Sequence, residues 1–162
     1  MLPRLLNLIE KSEVVSYCLM NYGVPEHAWK SWDLVKRKEA LWLFPKGFYE
    51  EFSGEYVEVQ GLRVFSGKKY PYKVTFAFAS MFEKFITEGV VELDKELARC
   101  LLFRKDFCPV DNELRSLKRR YFFFSYQGKL LGIFLKGEDL IFSQVPKKFS
   151  AQLPRSLELG NE

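Results

Sequence analysis

Apolar positions recur at helical spacing through the first part of the chain: Leu2, Leu5, Leu6 and Ile9, then Val14, Val15, Tyr17, Cys18 and Leu19. Ser12-Glu13 marks a restart, and Tyr22-Gly23-Val24-Pro25 ends the pattern, with Gly23 as a left-handed stop. Residues 32–35 and 40–44 then read as two short strands. The charged Lys36-Arg37-Lys38-Glu39 joins them into a hairpin that Pro45-Lys46-Gly47 closes off.

From Tyr56 the pattern shortens. Residues 56–59 and 62–65 are β-type runs around Gln60-Gly61, followed by the basic loop Ser66-Gly67-Lys68-Lys69. Residues 72–86 place Val74, Phe78, Met81, Phe82 and Phe85 on one helical face, and Gly89 separates them from a strand at 90–93. Asp94 caps a helix reaching Leu102, with Leu97, Leu101 and Leu102 inward. Residues 120–126, 129–135 and 140–142, divided by Gln127-Gly128 and by Lys136-Gly137-Glu138-Asp139, form an antiparallel meander. A meander so rich in aromatic residues is expected to close into a small barrel. The expected class is α+β: a small N-terminal α/β unit over 1–55, a β-barrel with flanking helices over 56–150 and a flexible tail over 151–162.

Composition supports a folded domain. Of 162 residues, 48% are hydrophobic and 17% aromatic, enough for a substantial core. Apolar runs such as 5–9 and 121–124 fall well short of the roughly 20 residues that a membrane helix needs. Residues 1–11 have no apolar stretch of signal-peptide length, so a cytoplasmic protein is expected. Cys18, Cys100 and Cys108 are odd in number and irregular in spacing, which suggests buried, unpaired thiols. The chain lacks a phosphate-loop signature, GxGxxG, HExxH and GxSxG. Its one histidine, His27, sits in Pro25-Glu26-His27-Ala28-Trp29 with no nameable nucleophile or orienting carboxylate, and reads as a surface or capping residue. No catalytic residue, metal site or cofactor is assigned.

The net charge of +4 acquires meaning when divided. Residues 1–55 hold 7 basic and 8 acidic side chains, whereas 56–162 hold 18 and 13, a net of +5. The cations gather at strand ends and turns: Lys68, Lys69 and Lys73; Arg104 and Lys105; Arg115, Lys118, Arg119 and Arg120; Lys147 and Lys148. Such clusters suit phosphate backbones, because each neutralised phosphate releases condensed counterions. Closure of a barrel would bring the loop 66–73, the approach to strand 120 and residues 146–148 to one rim. Phe122, Phe123, Phe124 and Phe134 are expected in the core rather than as base-stacking platforms.

The segment Tyr121-Phe122-Phe123-Phe124-Ser125-Tyr126-Gln127-Gly128-Lys129-Leu130-Leu131-Gly132, followed by Leu140-Ile141-Phe142-Ser143-Gln144-Val145-Pro146-Lys147-Lys148, resembles the end of PUA-like RNA-binding domains. The resemblance is to those attached to RNA methyltransferases of the NOL1/NOP2/Sun group, where a strand and a glycine turn precede a short strand and a Pro-Lys exit. Gly128, Gly132, Ser143 and Pro146 stand as that pattern has them, and Phe142 occupies its basic position. Gly61-Leu62-Arg63-Val64, Tyr70-Pro71-Tyr72-Lys73-Val74-Thr75 and Val90-Val91-Glu92-Leu93-Asp94 resemble the first half of the same domain, and residues 1–55 resemble the unit preceding it.

The resemblance implies a non-catalytic protein that binds structured RNA, tRNA or rRNA, as an adaptor in RNA modification or ribosome biogenesis. Lys68, Lys69, Lys73, Arg119, Arg120, Lys147 and Lys148 would contact phosphates, and Ser143 and Gln144 would hydrogen-bond bases or sugars. The alternative is a protein-interaction module that has lost RNA contact and docks onto an RNA methyltransferase or ribosomal protein through Trp29, Trp32 or Tyr49. A third reading is an enzyme built on Cys18, His27 and Asp33 or Glu26.

Overall fold

The computed structural model describes residues 3–52, 61–67, 73–104, 108–109 and 112–152. Among these described residues the chain is mixed α/β, with two five-stranded sheets and six α-helices. It divides into two compact units, the first ending at Glu88 and the second starting at Gly89.

In the first unit, β1 (Arg4–Leu5) leads into α1 (Leu8–Tyr22), and a 3-10 turn (Glu26–Trp29) precedes the hairpin of β2 (Trp32–Arg37) and β3 (Ala40–Pro45). Then come α2 (Phe48–Phe52), β4 (Leu62–Ser66), β5 (Lys73–Val74) and α3 (Phe76–Phe82). The sheet is antiparallel throughout, in the order β1-β2-β3-β4-β5.

The first helix starts later than the apolar spacing implies, because Asn7 and Glu10 form a capping box. Glu10 N–H donates to Asn7 Oδ1 at 2.9 Å, and Asn7 N–H donates to Glu10 Oε2 at 3.1 Å. Leu5 therefore pairs in β1 instead of lying on the helix. Gly23 ends α1 as expected, at φ 74°, with its N–H donating to Leu19 O. Lys73 and Val74, expected within a helix starting at 72, instead pair as β5, and Thr75 caps α3 by accepting Phe78 N–H.

The core of this unit gathers Val14, Cys18 and Tyr22 from α1 with Leu34, Leu41, Leu43, Val64 and Phe65 from the sheet and Phe78 and Phe82 from α3. Trp29, Phe65, Phe78 and Phe82 are packed ring to ring, the Trp29–Phe82 centroids 4.5 Å apart. Burying each such side chain stabilises the unit by about 1.5–3 kcal/mol.

The second unit carries β6 (Val90–Glu92), α4 (Lys95–Leu102), β7 (Cys108–Pro109), α5 (Asn112–Ser116), β8 (Tyr121–Tyr126), β9 (Lys129–Lys136), β10 (Leu140–Ser143) and α6 (Lys147–Gln152). Its sheet order is β6-β8-β9-β10-β7, with β6 parallel to β8 and the other pairs antiparallel. Phe122, Phe124, Phe134, Ile141 and Val145 pack with Leu93, Ala98, Leu101 and Leu114. Gly132 permits this packing: a Cβ there would lie 2.8 Å from both Phe124 Cε1 and Val145 Cγ2. The expected core role of the four phenylalanines holds.

Longer-range features differ as well. The meander forms, but both sheets are open among the described residues, with β6 and β7 as short edges of the second one. The first compact unit extends to Glu88, because β4 hydrogen-bonds to β3 and so belongs to the first sheet. Cys100 is disulfide-bonded, not an unpaired thiol, whereas Cys18 is free and buried. The expected strand at 56–59 and the tail from 153 lie outside the described residues. No helix among the described residues is long and apolar enough to cross a membrane.

Candidate nucleic-acid interface

Cross-strand register decides which cations share a surface. Arg37 is opposite Ala40, Ala40 opposite Ser66 and Ser66 opposite Lys73, so one row runs over β2, β3, β4 and β5 on a single face. Side chains two residues apart share a face, which places Trp42 beside Ala40, and Trp42 is opposite Arg63. Arg37 Cζ lies 5.8 Å from the centroid of the Trp42 ring, within cation–π range. Among the described residues the Trp42 indole N–H has no hydrogen-bond partner.

Arg37, Lys38, Glu39, Ala40, Trp42 and Arg63, with Ser66 and Gly67, line an open cleft of about 500 Å³. Three cations and one carboxylate border it, and Lys73 continues the row on the adjoining strand. The turn at Lys38-Glu39 shapes one wall. Lys38 adopts φ 54°, a left-handed conformation costing a non-glycine residue roughly 1–2 kcal/mol. Glu39 O accepts Gly67 N–H at 2.7 Å, which fixes the turn against the end of β4.

Of the sequence-derived site residues, Lys73 belongs to this face, while Lys68 and Lys69 lie outside the described residues. Arg119, Arg120, Ser143, Gln144, Lys147 and Lys148 belong to the second unit. Lys136 N–H donates to Arg120 O, and Lys136 is opposite Ile141, so Arg120 stands at the start of β10. Gln144 N–H donates to Ile133 O, three rows further, about 10 Å along the strands. Arg119 and Arg120 therefore flank one end of this sheet, and Lys147 and Lys148 follow the other. The shared rim expected for these two clusters is absent because β8 and β10 run parallel, so the start of one and the exit of the other lie at opposite ends.

At the first end, Lys136 Nζ donates to the carbonyls of Arg115 and Leu117, and Arg115 pairs with Asp139 at 3.2 Å. Arg119 is half-buried and Arg120 exposed. At the other end, Ser143 Oγ accepts Val145 N–H at 3.2 Å, and the Gln144 amide lies 3.3 Å from Ser143 O. Both polar groups are thus engaged locally. Arg104 Nη1 donates to Val145 O. Glu92 accepts from Ser125 Oγ and, at 3.3 Å, from Gly128 N–H, which holds the β8–β9 turn and its carboxyl below the usual range.

The residues of the nucleophile reading differ in their exposure. Cys18 is fully buried and burial pushes its thiol far up, whereas His27 is exposed with its ring edge against Phe85 at 5.5 Å. Trp29, considered for docking, is buried, and Trp32 and Tyr49 are half-buried.

Arg37, Lys38, Trp42 and Arg63 were not among the sequence candidates. Lys36-Arg37-Lys38-Glu39 reads as a charged hairpin turn, and Arg63 is an isolated cation until register sets it opposite Trp42. Alternation in 40–44 offered one signal, because it sets Trp42 on the face opposite Leu41 and Leu43. No protein-family profile and no curated protein matches the chain.

Proposed function

We propose that this protein binds RNA, with tRNA or rRNA as the implied targets, and acts as a non-catalytic adaptor in RNA modification or ribosome biogenesis. The observation that carries the reading is the set of Arg37, Arg63 and Lys73 on one sheet face around Trp42, with Lys38 and Glu39 of the adjoining turn lining the same cleft. Phosphates neutralise such a set and release counterions. Lys68 and Lys69, next to Gly67 in the sequence, add to it on sequence grounds, and the PUA-like resemblance of the second unit points the same way. Arg119 and Arg120, and separately Lys147 and Lys148, form two further contact points. Residues 1–88 hold 12 basic and 11 acidic side chains and 89–162 hold 13 and 10, so the placement of the cations matters more than their totals. Titration with bulk tRNA over a salt series tests the reading. Affinity should fall steeply and linearly in log salt, and a folded protein that fails to bind at about 50 mM salt rejects it.

A second reading, docking onto a protein partner, draws on α1. Leu8, Ile9 and Met20 are 87%, 73% and 72% exposed and Leu19 is 49% exposed, and all four lie on one helical face with Ser12 and Ser16 between them. Absence of tRNA binding by the folded protein would leave this reading standing.

A further inference from the structure

The geometry around Trp42 points to a site for one unpaired nucleobase within a single-stranded stretch of RNA, and so names the class of RNA that this face selects. The inference rests on the RNA-binding reading. A row of cations alone attracts any phosphate chain, duplex or single-stranded, with little distinction. The cleft adds a planar guanidinium set over an indole ring, Arg37 Cζ being 5.8 Å from the Trp42 centroid. Bases stack on aromatic rings and on arginine planes, and they do so when unpaired, because a base inside a duplex has both faces covered.

The surrounding groups suit the rest of the nucleotide. Arg63 is opposite Trp42 in register, and Lys73 lies one strand beyond β4 on the same face. From Arg37 to Lys73 the row spans three strand spacings, about 14 Å, more than one phosphate can reach. A strand of several nucleotides therefore fits better than a free mononucleotide. The Trp42 indole N–H itself is buried and has no partner among the described residues, so the ring rather than its N–H is what the cleft offers.

Two RNA probes and two conservative variants test the inference. The probes are labelled oligo(U) of about 12 nucleotides and a duplex of equal length, measured by fluorescence anisotropy. Arg37→Lys keeps the charge and removes the plane, and Trp42→Phe keeps an aromatic ring but removes the indole N–H and reduces the stacking area. Arg37→Lys should weaken oligo(U) at least about fivefold while leaving the duplex within about twofold. The indole N–H resonance assigned through Trp42→Phe should move when oligo(U) is added, while that of buried Trp29 stays. Equal affinity of the wild type and both variants for oligo(U), equal losses on both probes, or displacement of oligo(U) by equimolar UMP would overturn the stacking site alone. Failure of both probes to bind the folded wild type at about 50 mM salt would overturn the RNA reading beneath it.

Discussion

Neutralising Arg63 and Lys73 together, as Arg63→Gln and Lys73→Gln, isolates the electrostatic contribution of the first sheet. Both residues are exposed on strands β4 and β5, and their replacement leaves the buried Val64, Phe65 and Val74 in place. Arg37, Arg63 and Lys73 lie along this face and Lys38 on the adjoining turn, four cations in all. With about 0.7 counterion released per phosphate on a single strand, full engagement of these four gives a log–log salt slope of about −2.8. Between about 50 and 200 mM salt, affinity for single-stranded RNA should then fall about 50-fold. The double variant retains two of the four contacts, so its slope should drop to about −1.4 and the same salt change should cost about sevenfold. Anisotropy titrations at four or five salt concentrations, with circular dichroism to show that both proteins are equally folded, provide the measurement. A variant slope equal to that of the wild type would refute the placement of phosphates on this face, whatever the absolute affinities.

Three other outcomes are expected. Lys38→Gly should raise stability by about 1 kcal/mol in chemical denaturation, by relieving the left-handed φ of 54°, while reducing the salt slope by about 0.7. Gly132→Ala should destabilise the second unit by about 2 kcal/mol and lower its melting temperature by about 10 °C in a thermal melt, because its new methyl meets Phe124 and Val145, both fully buried. Glu10 is held to about 2 by the Arg4 guanidinium, 2.5 Å away, and by Asn7 N–H, so its stabilising effect is complete above the usual carboxylate range near 4.5 and is lost as pH falls through about 2. Glu10→Gln should thus be less stable by up to about 1 kcal/mol at neutral pH, with urea midpoints that converge with the wild type near pH 2.

Local signals were sufficient wherever one residue governs a boundary. Gly23 stops α1 because it tolerates positive φ, Asp94 caps α4 through Leu97 N–H at 2.8 Å, and Gln127-Gly128 turns β8 into β9 with both residues at positive φ. Helical spacing misled at Leu5, where apolar residues suit a strand equally well and the Asn7–Glu10 box settled the start. The open sheets and the boundary at 88/89 depend on which edges pair, a long-range matter that composition does not encode.

The candidate site divides in the same way. Sequence determined that cations cluster at turns and that Phe122, Phe123, Phe124 and Phe134 are core, since charge and hydrophobicity belong to each residue by itself. Tertiary structure decided which cations act together. Register joined Lys73 to Arg37, Arg63 and Trp42 over four strands, and the parallel course of β8 and β10 separated Arg120 from Lys147. A one-residue slip in a strand reverses the face of every side chain on it, so a surface assembled from four strands exists only once hydrogen bonding has fixed their register.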